Sequence, residues 1–529
     1  MPKKLMKTPV DEVTNYIDQF KPNFDNMQVQ KLYKEEEPIF LKFVSDIKNK
    51  KRVQKEGNLT QAEIKEIYNN ITVEQYEAKL PKTTTYIKQR IYHGFDGKFY
   101  VCCRSELGEF FAKEYSPADF KNTFSKYFGE HIYKWFDMNC MLYILSMNNE
   151  QQRTYNFDGC YYLNLFSGYK YDKQSTPDET KINKGKEGVQ FIWNHMKDQF
   201  CSNDEFYFTN LQNAIRKMVA GHKLQILIYL KTKMGKGKGK ITNFLKAVMG
   251  NQVCMTLNND NVFMKDFNGS LMGKAFVVLD EICHDFDGFK SLYNALKAYI
   301  TEPNITYRNL YSSHKELRNI TSYLMTGNYD MLKLDSSDKG EDRRILVLPV
   351  SNSIKPAEYC ALLDAYVEDE DVQYAFFWDC IRNQVQGWNE LHELKKLPMS
   401  AEKKAMILHS LDSATTFLKD FLNTKDSLRP IRPKRLYDLY IDSLENSKHK
   451  LTPTSFHDKL KNYSDYIVLE RKKHEGSVTT TFYNINREGL IKCFQDKHFY
   501  ADYDDYEIVE EKEETKEEPK NEIKELNDT

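Results

Sequence analysis

No apolar run in the chain approaches the ~20 residues that a membrane-spanning helix needs, so a helical membrane protein is excluded and no membrane partner is expected. The ten cysteines include neither a C-x-x-C pair nor a Cys/His spacing of metal-ligand type. Zinc modules and a disulfide framework therefore drop out, a reducing compartment fits, and Cys102–Cys103 and Cys283–His284 read as packing residues. The opening MPKKLMKTPVDEV lacks the apolar centre of a signal peptide, which predicts a non-secreted, intracellular protein. An overall charge of one sign is missing as well, the net being −1. Glycine is sparse too, 22 in 529 residues, so three of them alternating with lysine in one short stretch stand out.

That stretch follows Leu224–Leu230, an apolar run of strand length and composition. Gly235, Gly237 and Gly239 come next, with Lys236, Lys238 and Lys240 between them. Ile241, Phe244, Leu245, Val248 and Met249 then share one helical face, and Gly250 ends the helix. Strand, glycine loop and helix together cradle phosphates. Glycines let backbone N–H groups approach the anion, the helix N-terminus adds its dipole, and a lysine reaches the β- and γ-phosphates. The plain alternative is a solvated Lys/Gly linker. The spacing GxxxxGK[ST] is not met literally. With Lys238 as the phosphate lysine, the loop runs from Thr232 to Gly239, and Gly239 stands where a Mg²⁺-binding hydroxyl is expected. With Lys240 instead, Met234 and Ile241 take those places, and Thr242 comes one residue late. The Lys238 register is preferred because its loop starts directly after the strand, and Lys240 stays open.

Downstream, the apolar run Ala275–Ile282 contains Asp280 and Glu281 near its end. Nucleotide hydrolysis needs such a pair: one carboxylate for Mg²⁺, the other to orient or deprotonate the attacking water. A third run, Thr321–Thr326, leads to Asn328, placed to sense a γ-phosphate or the lytic water. Arg343 and Arg344 precede a fourth run, Ile345–Val350, where an arginine can stabilise transition-state charge on a neighbour's nucleotide. Singly, each motif has a bland reading as turn, cap or solvated face. Their joint order argues against the linker.

In this order the segments resemble the superfamily 3 helicases, AAA+-type ATPases of viruses, plasmids and phages, in particular the helicase part of poxvirus-type and phage primase–helicases. The resemblance covers roughly Tyr161–Val350 and includes YYLNLFSGYKY and FNGSLMGKAFVVLDE. It implies an α/β AAA+-type P-loop ATPase core using ATP and Mg²⁺. Lys238 matches the Walker A lysine, Asp280 and Glu281 the Walker B pair, Asn328 the motif C asparagine, and Arg343 and Arg344 the arginine pair. Leu296–Asn319 lies where the family has a DNA-contacting hairpin, with Lys297, Arg308 and Lys315 as its cations. Gly239 departs from the usual Ser or Thr, which leaves the Mg²⁺ ligand set open, with Thr242 as a substitute. The implied assembly is a homo-oligomeric ring, hexameric in the family, on single-stranded and forked DNA.

Around that core the chain divides further. Residues 1–83 read as a helical N-terminal region with no spaced aspartates of a primase site, so a separate primase or polymerase is an expected partner. Residues 84–188 read as α+β, with an aromatic cluster over Gly159–Tyr171 assigned to core packing rather than base stacking, and end in a polar, breaker-rich linker over Lys173–Gly188. Residues 189–350 hold collar helices and the ATPase core, and 351–425 a helical lid or brace. Residues 426–500 follow helix, helix, ribbon order, a winged-helix-like DNA-binding domain with Thr452 or Thr454 as an N-cap. Its Lys459, Lys461, Arg471, Lys472 and Lys473 are the expected phosphate contacts. Residues 501–529 carry 13 Asp/Glu against 4 Lys and read as a disordered acidic tail, leaving about +8 on the body.

The function expected is an ATP-dependent DNA helicase that replicates a viral or mobile-element genome, moving 3′ to 5′, in host cytoplasm or nucleus if viral. The alternative is an ATP-gated origin-binding initiator without processive unwinding.

Overall fold

The structure, a computed structural model, describes residues 24–104, 110–139, 141–150, 153–231, 235–264, 267–282, 286–308, 314–327, 343–351, 353–388, 397, 399–444, 450–473 and 479–500. They fall into two compact units, the first reaching Glu402 and the second running from Lys403. The brace expected as one piece over 351–425 is thus divided between them.

Polar sequence with spaced apolar residues opens the first unit as four helices, α1 (Asn26–Lys55), α2 (Gln61–Asn69), α3 (Val73–Lys79) and α4 (Pro81–Lys88). Their starts are set by side chains. Asp25 accepts from the amides of Met27 and Gln28, and capping boxes Thr60/Glu63 and Thr72/Gln75 open α2 and α3. Helix α4 has no side-chain cap of its own. Buried Glu36 of α1 supplies one, accepting from the amides of Lys82 at 2.8 Å and Thr83 at 3.0 Å.

These helices share a core with α5 (Pro117–Asn139) and a six-stranded sheet. Its strands are β1 (Ile91–Gly94), β2 (Phe99–Arg104), β3 (Phe110–Tyr115), β4 (Leu142–Ser146), β5 (Thr154–Phe157) and β6 (Cys160–Asn164), in the order β3-β2-β1-β4-β6-β5. Pairs β1–β4 and β4–β6 are parallel and the others antiparallel. Phe99 packs on Phe120 of α5 with ring centroids 4.2 Å apart. The aromatic cluster splits: Leu163, Phe166 and Tyr169 are buried, while Tyr161 is 43% exposed.

The polar linker expected over Lys173–Gly188 is corrected. From Glu179 it is the helix α6 (Glu179–His195), started by Asp178, whose carboxylate accepts from the amides of Thr180 and Lys181. Its glycines do not break it but allow close approach. A Cβ on Gly185 would meet the Asp371 carbonyl oxygen at 2.2 Å, and one on Gly188 would meet Val372 at 2.5 Å. After α6 come α7 (Glu205–Val219) and then a second sheet. It comprises β7 (Leu227–Lys231), β8 (Cys254–Leu257), β9 (Phe276–Asp280), β12 (Ser322–Gly327) and β13 (Ile345–Val347), all parallel in the order β13-β7-β12-β9-β8. Helix α8 (Lys238–Met249) follows β7, and α9 (Phe286–Thr301) leads into an antiparallel hairpin of β10 (Asn304–Tyr307) and β11 (Lys315–Arg318). Strands of such a sheet are buried on both faces, which is why they read as apolar runs. Helices α10 (Ala357–Glu368) and α11 (Glu370–Arg382) close the unit, α11 lying along α6.

In the second unit, α12 (Ser413–Phe421), α13 (Pro433–Asp442) and α14 (Pro453–Leu460) precede a ribbon of β14 (Ile467–Lys473) and β15 (Thr479–Ile485), then α15 (Arg487–Asp496). Thr452 caps α14. Between α12 and α13, Ile431 forms an isolated bridge to Tyr483 that adds a third edge to the ribbon. Phe417, Tyr440, Phe456 and Leu460 are buried together, and Tyr440 stacks on Phe456 at 4.5 Å.

Candidate functional site

Because the second sheet is wholly parallel, the loop after β7 and the ends of β9 and β12 share one edge. Lys231 pairs with Gly327, and Asp280 with Thr326. Ligands of open α/β sheets bind at that edge. Helix α8 begins there at Lys238 without a side-chain cap, so side chains do not satisfy its leading N–H groups. Its N-cap Gly237 has φ 74°, a left-handed geometry that favours glycine. This is an anion-binding arrangement.

Lys238 Nζ lies 3.2 Å from Glu281 Oε1, which joins the two motifs read from the sequence. Asp280 accepts from the Thr326 hydroxyl, and the Glu281 amide donates to the Thr326 carbonyl at 3.0 Å. Glu281 stands at φ 49°, a conformation that costs a non-glycine residue about 1–2 kcal/mol. Its carboxylate is half-exposed above the edge. Lys240 turns elsewhere and pairs with Asp364 of α10. Lys236 is buried and donates to the Ser353 carbonyl. Gly235 has φ 84° and Gly239 has open space around it. Thr242 does not reach out as a substitute metal ligand: it is buried, and its hydroxyl donates back to the Gly239 carbonyl at 3.0 Å. Thr232 and Asn328 lie outside the described residues.

Among the described residues no group of three or more His, Cys, Asp or Glu could hold a metal ion by itself. Two adjacent carboxylates beside the glycine loop would fit a Mg²⁺ ion carried by a phosphate ligand, because that ion takes one or two carboxylates plus phosphate oxygens and water.

Arg343 and Arg344 are at the other end of the sheet. The Leu227 amide, at the start of β7, donates to the Arg344 carbonyl at 2.7 Å. The length of β7, at ~3.3 Å per residue, puts the glycine loop roughly 13 Å away. The arginines and the loop of one chain are not brought together.

The expected DNA contacts are scattered. Lys297 lies on α9, ahead of the hairpin, with its ammonium 4.9 Å from the Tyr293 ring centre. Arg308 follows β10, its guanidinium over Phe267 at 5.3 Å and its amide donating to Asn268 Oδ1 at 2.8 Å. Lys315, expected as a DNA-contacting cation of the hairpin, is turned inward in this structure. It is buried, ion-paired with Glu114 of β3, and 5.1 Å above the Tyr100 ring. Glu114 also pairs with Lys98; burial pushes its carboxyl up, but the two lysines together outweigh that and hold it below the ordinary range. In the second unit Lys459 pairs with Asp412 at 3.4 Å and Lys461 with Asp458 at 2.6 Å, whereas Arg471 is exposed. Lys472 and Lys473 are on β14, and their side chains lie outside the described set.

Three contributors were not found by sequence reasoning: Thr326, Asp364 and His195, whose Nε2 lies 2.8 Å from where a Cβ on Gly237 would sit. Each sits far in sequence from the motif it touches, and no local pattern marks it.

A family of unknown function, DUF5906, matches residues 230–344, from the end of β7 through the arginine pair. No curated protein matches the chain. Among solved structures, the apo NrS-1 C-terminal region (305–718) is similar at 16% identity and TM-score 0.51, over 75% of this chain and 95% of that one. The A form of the same region matches at 14% identity and TM-score 0.50, over 75% and 98%. A further A-form structure gives 15% identity and TM-score 0.50, over 74% and 95%. At such identities the likeness is one of fold: a mixed α/β chain with a parallel sheet.

Proposed function

We propose that the chain is a superfamily 3-type, AAA+ P-loop ATPase that drives DNA unwinding in the replication of a phage or other mobile genome. One observation carries this reading: the helix that opens on the glycine loop and the Asp280–Glu281 pair meet at one sheet edge, with Lys238 spanning the two. The fold likeness to the NrS-1 C-terminal region supports it. When ATP binds, Lys238 exchanges Glu281 for the phosphates, and α8 offers its leading amides to them. Glu281, released, orients and deprotonates the attacking water, while Asp280, held by Thr326, would hold the Mg²⁺. The ion supplies charge neutralisation on the phosphates.

The remote arginines give the oligomer its reason. With Arg343 and Arg344 at the far end of their own sheet, any nucleotide they serve belongs to a neighbouring copy, as in a ring. We assign the ring, hexameric in the family's pattern, to single-stranded DNA, moving 3′ to 5′. The second unit, helices followed by a ribbon, is assigned as a winged-helix-like DNA contact through Arg471, Lys472 and Lys473.

ATP turnover with and without single-stranded DNA, read alongside strand displacement, tests this. Lys238→Ala and Glu281→Gln should each lower turnover by ~10²-fold or more and abolish displacement, while Lys240→Ala keeps most of both. Loss of turnover in Lys240→Ala alone would overturn the loop assignment. The initiator reading draws on Gly239, which brings no hydroxyl, and on Thr242, whose hydroxyl is turned inward. Assembly on DNA that requires ATP but shows negligible turnover in wild type would select it.

A further inference from the structure

His195 is the last residue of α6, ahead of the π-helical turn Met196–Phe200, and is 2% exposed. Its ring is clamped. The Tyr359 hydroxyl is 3.1 Å from Nδ1, the Tyr359 ring stacks on it at 5.8 Å, and Phe200 meets it edge-on at 5.7 Å. Burial drives the imidazole pKa down to about 4, against the pull of Asp198, while Lys355 adds to the drop. The ring is therefore neutral, with one nitrogen bearing hydrogen.

The Tyr359 hydroxyl can donate to Nδ1 or accept from it; taken as the donor, it leaves the ring hydrogen on Nε2. The Lys236 backbone acts on the ring to favour its protonated form, as a carbonyl oxygen does and an amide hydrogen does not. Yet Nε2 makes no hydrogen bond of normal geometry, although it is buried. It presses on the phosphate loop: a Cβ on Gly237 would lie 2.8 Å from it. A buried donor without a well-formed hydrogen bond is costly, and here it is aimed at the glycine loop.

We propose that His195 is a positioning residue of the phosphate loop: its Nε2–H takes the Lys236 carbonyl as nucleotide binds, and so fixes the Gly237 amide toward the phosphates. The step follows from peptide geometry. Carbonyl and amide of one trans peptide point in opposite directions, so drawing the Lys236 oxygen to His195 turns the next N–H to the open side. The side chain of Lys236 is already tied to the Ser353 carbonyl, so the residue is held at both ends from one wall. The proposal rests on the nucleotide reading of the loop.

Fluorescence titration of the full chain with Mg·ATP and with adenosine, together with KM and kcat, tests it. His195→Phe keeps a ring but no N–H. It should weaken ATP and raise KM about 10-fold, roughly one hydrogen bond, with kcat and adenosine affinity near wild type. His195→Gln, whose amide offers an N–H of similar reach, should recover most of the loss. Tyr359→Phe, which frees the tautomer, should weaken ATP in the same direction, and it carries the test if His195→Phe does not fold. Wild-type ATP affinity in His195→Phe, or equal loss of ATP and adenosine without recovery in His195→Gln, would overturn the proposal alone. A wild type that binds no ATP would overturn the nucleotide reading, and this proposal with it.

Discussion

Lys238 and Lys240 are two residues apart and have different fates because a helix turns ~100° per residue. Once α8 starts at Lys238, the two lysines leave on nearly opposite sides, one to Glu281 and the other to Asp364. The alternation GKGKGK hides this, since its registers differ only by where the helix begins. His195 carries a measurable consequence of its burial. Its folded pKa of about 4 lies below the ordinary 6.5, so between those values the unfolded chain holds a proton that the folded chain does not. Stability is complete above pH 6.5 and falls as pH drops toward 4, by on the order of 3 kcal/mol from this residue. Urea midpoints at pH 7 and 4.5 should therefore separate strongly in wild type and less in His195→Gln. Equal losses in both proteins would mean that the imidazole is not buried neutral.

Among the elements, α6 and α11 show where packing outweighs propensity. Alanine is a better helix former than glycine by about 1 kcal/mol, so propensity alone has Gly185→Ala raising the melting temperature. The structure requires the opposite, because the new methyl would meet the backbone of Asp371, which has no rotamer to yield. A loss of about 1–3 kcal/mol is expected, seen as a lower thermal midpoint by circular dichroism, and a higher midpoint would separate the two helices. The same pair explains what could be read in advance. The four apolar runs that became β7, β9, β12 and β13 were legible because strands buried on both faces need no partner to look buried. Strand β8, CMTL, places exposed Thr256 and half-buried Met255 between buried Cys254 and Leu257 and so shows no apolar run, and Ile431 contributes a single bridge. Helix α6 looked like a linker because its lysines and glycines display composition, while the surface that makes glycine necessary belongs to a helix far downstream. Lys315 shows the same limit: its partner Glu114 comes from another sheet and leaves no trace in the sequence of the hairpin. Within the site, the loop and the carboxylates were visible as motifs, and their supports Thr326 and His195 were not.

On the scale of the molecule, the division near Glu402 makes the second unit separable. It carries its own core, in which Leu418, Tyr440, Phe456, Leu490 and Phe494 are essentially inaccessible. Residues 403–500 alone should melt cooperatively, and a broad, non-cooperative transition would show that their order depends on the rest of the chain. Within the first unit the parallel sheet is inserted between α6 and α11. Trp193 of α6 donates its indole N–H to Asp379 of α11 at 3.0 Å, across the whole intervening sequence. On a ribosome adding about 5–20 residues per second, the glycine face of α6 waits on the order of ten to forty seconds for its partner to be made. The sheet with the glycine loop is thus translated inside an unfastened clasp, and the clasp shuts only after that sheet's last strand has left the ribosome.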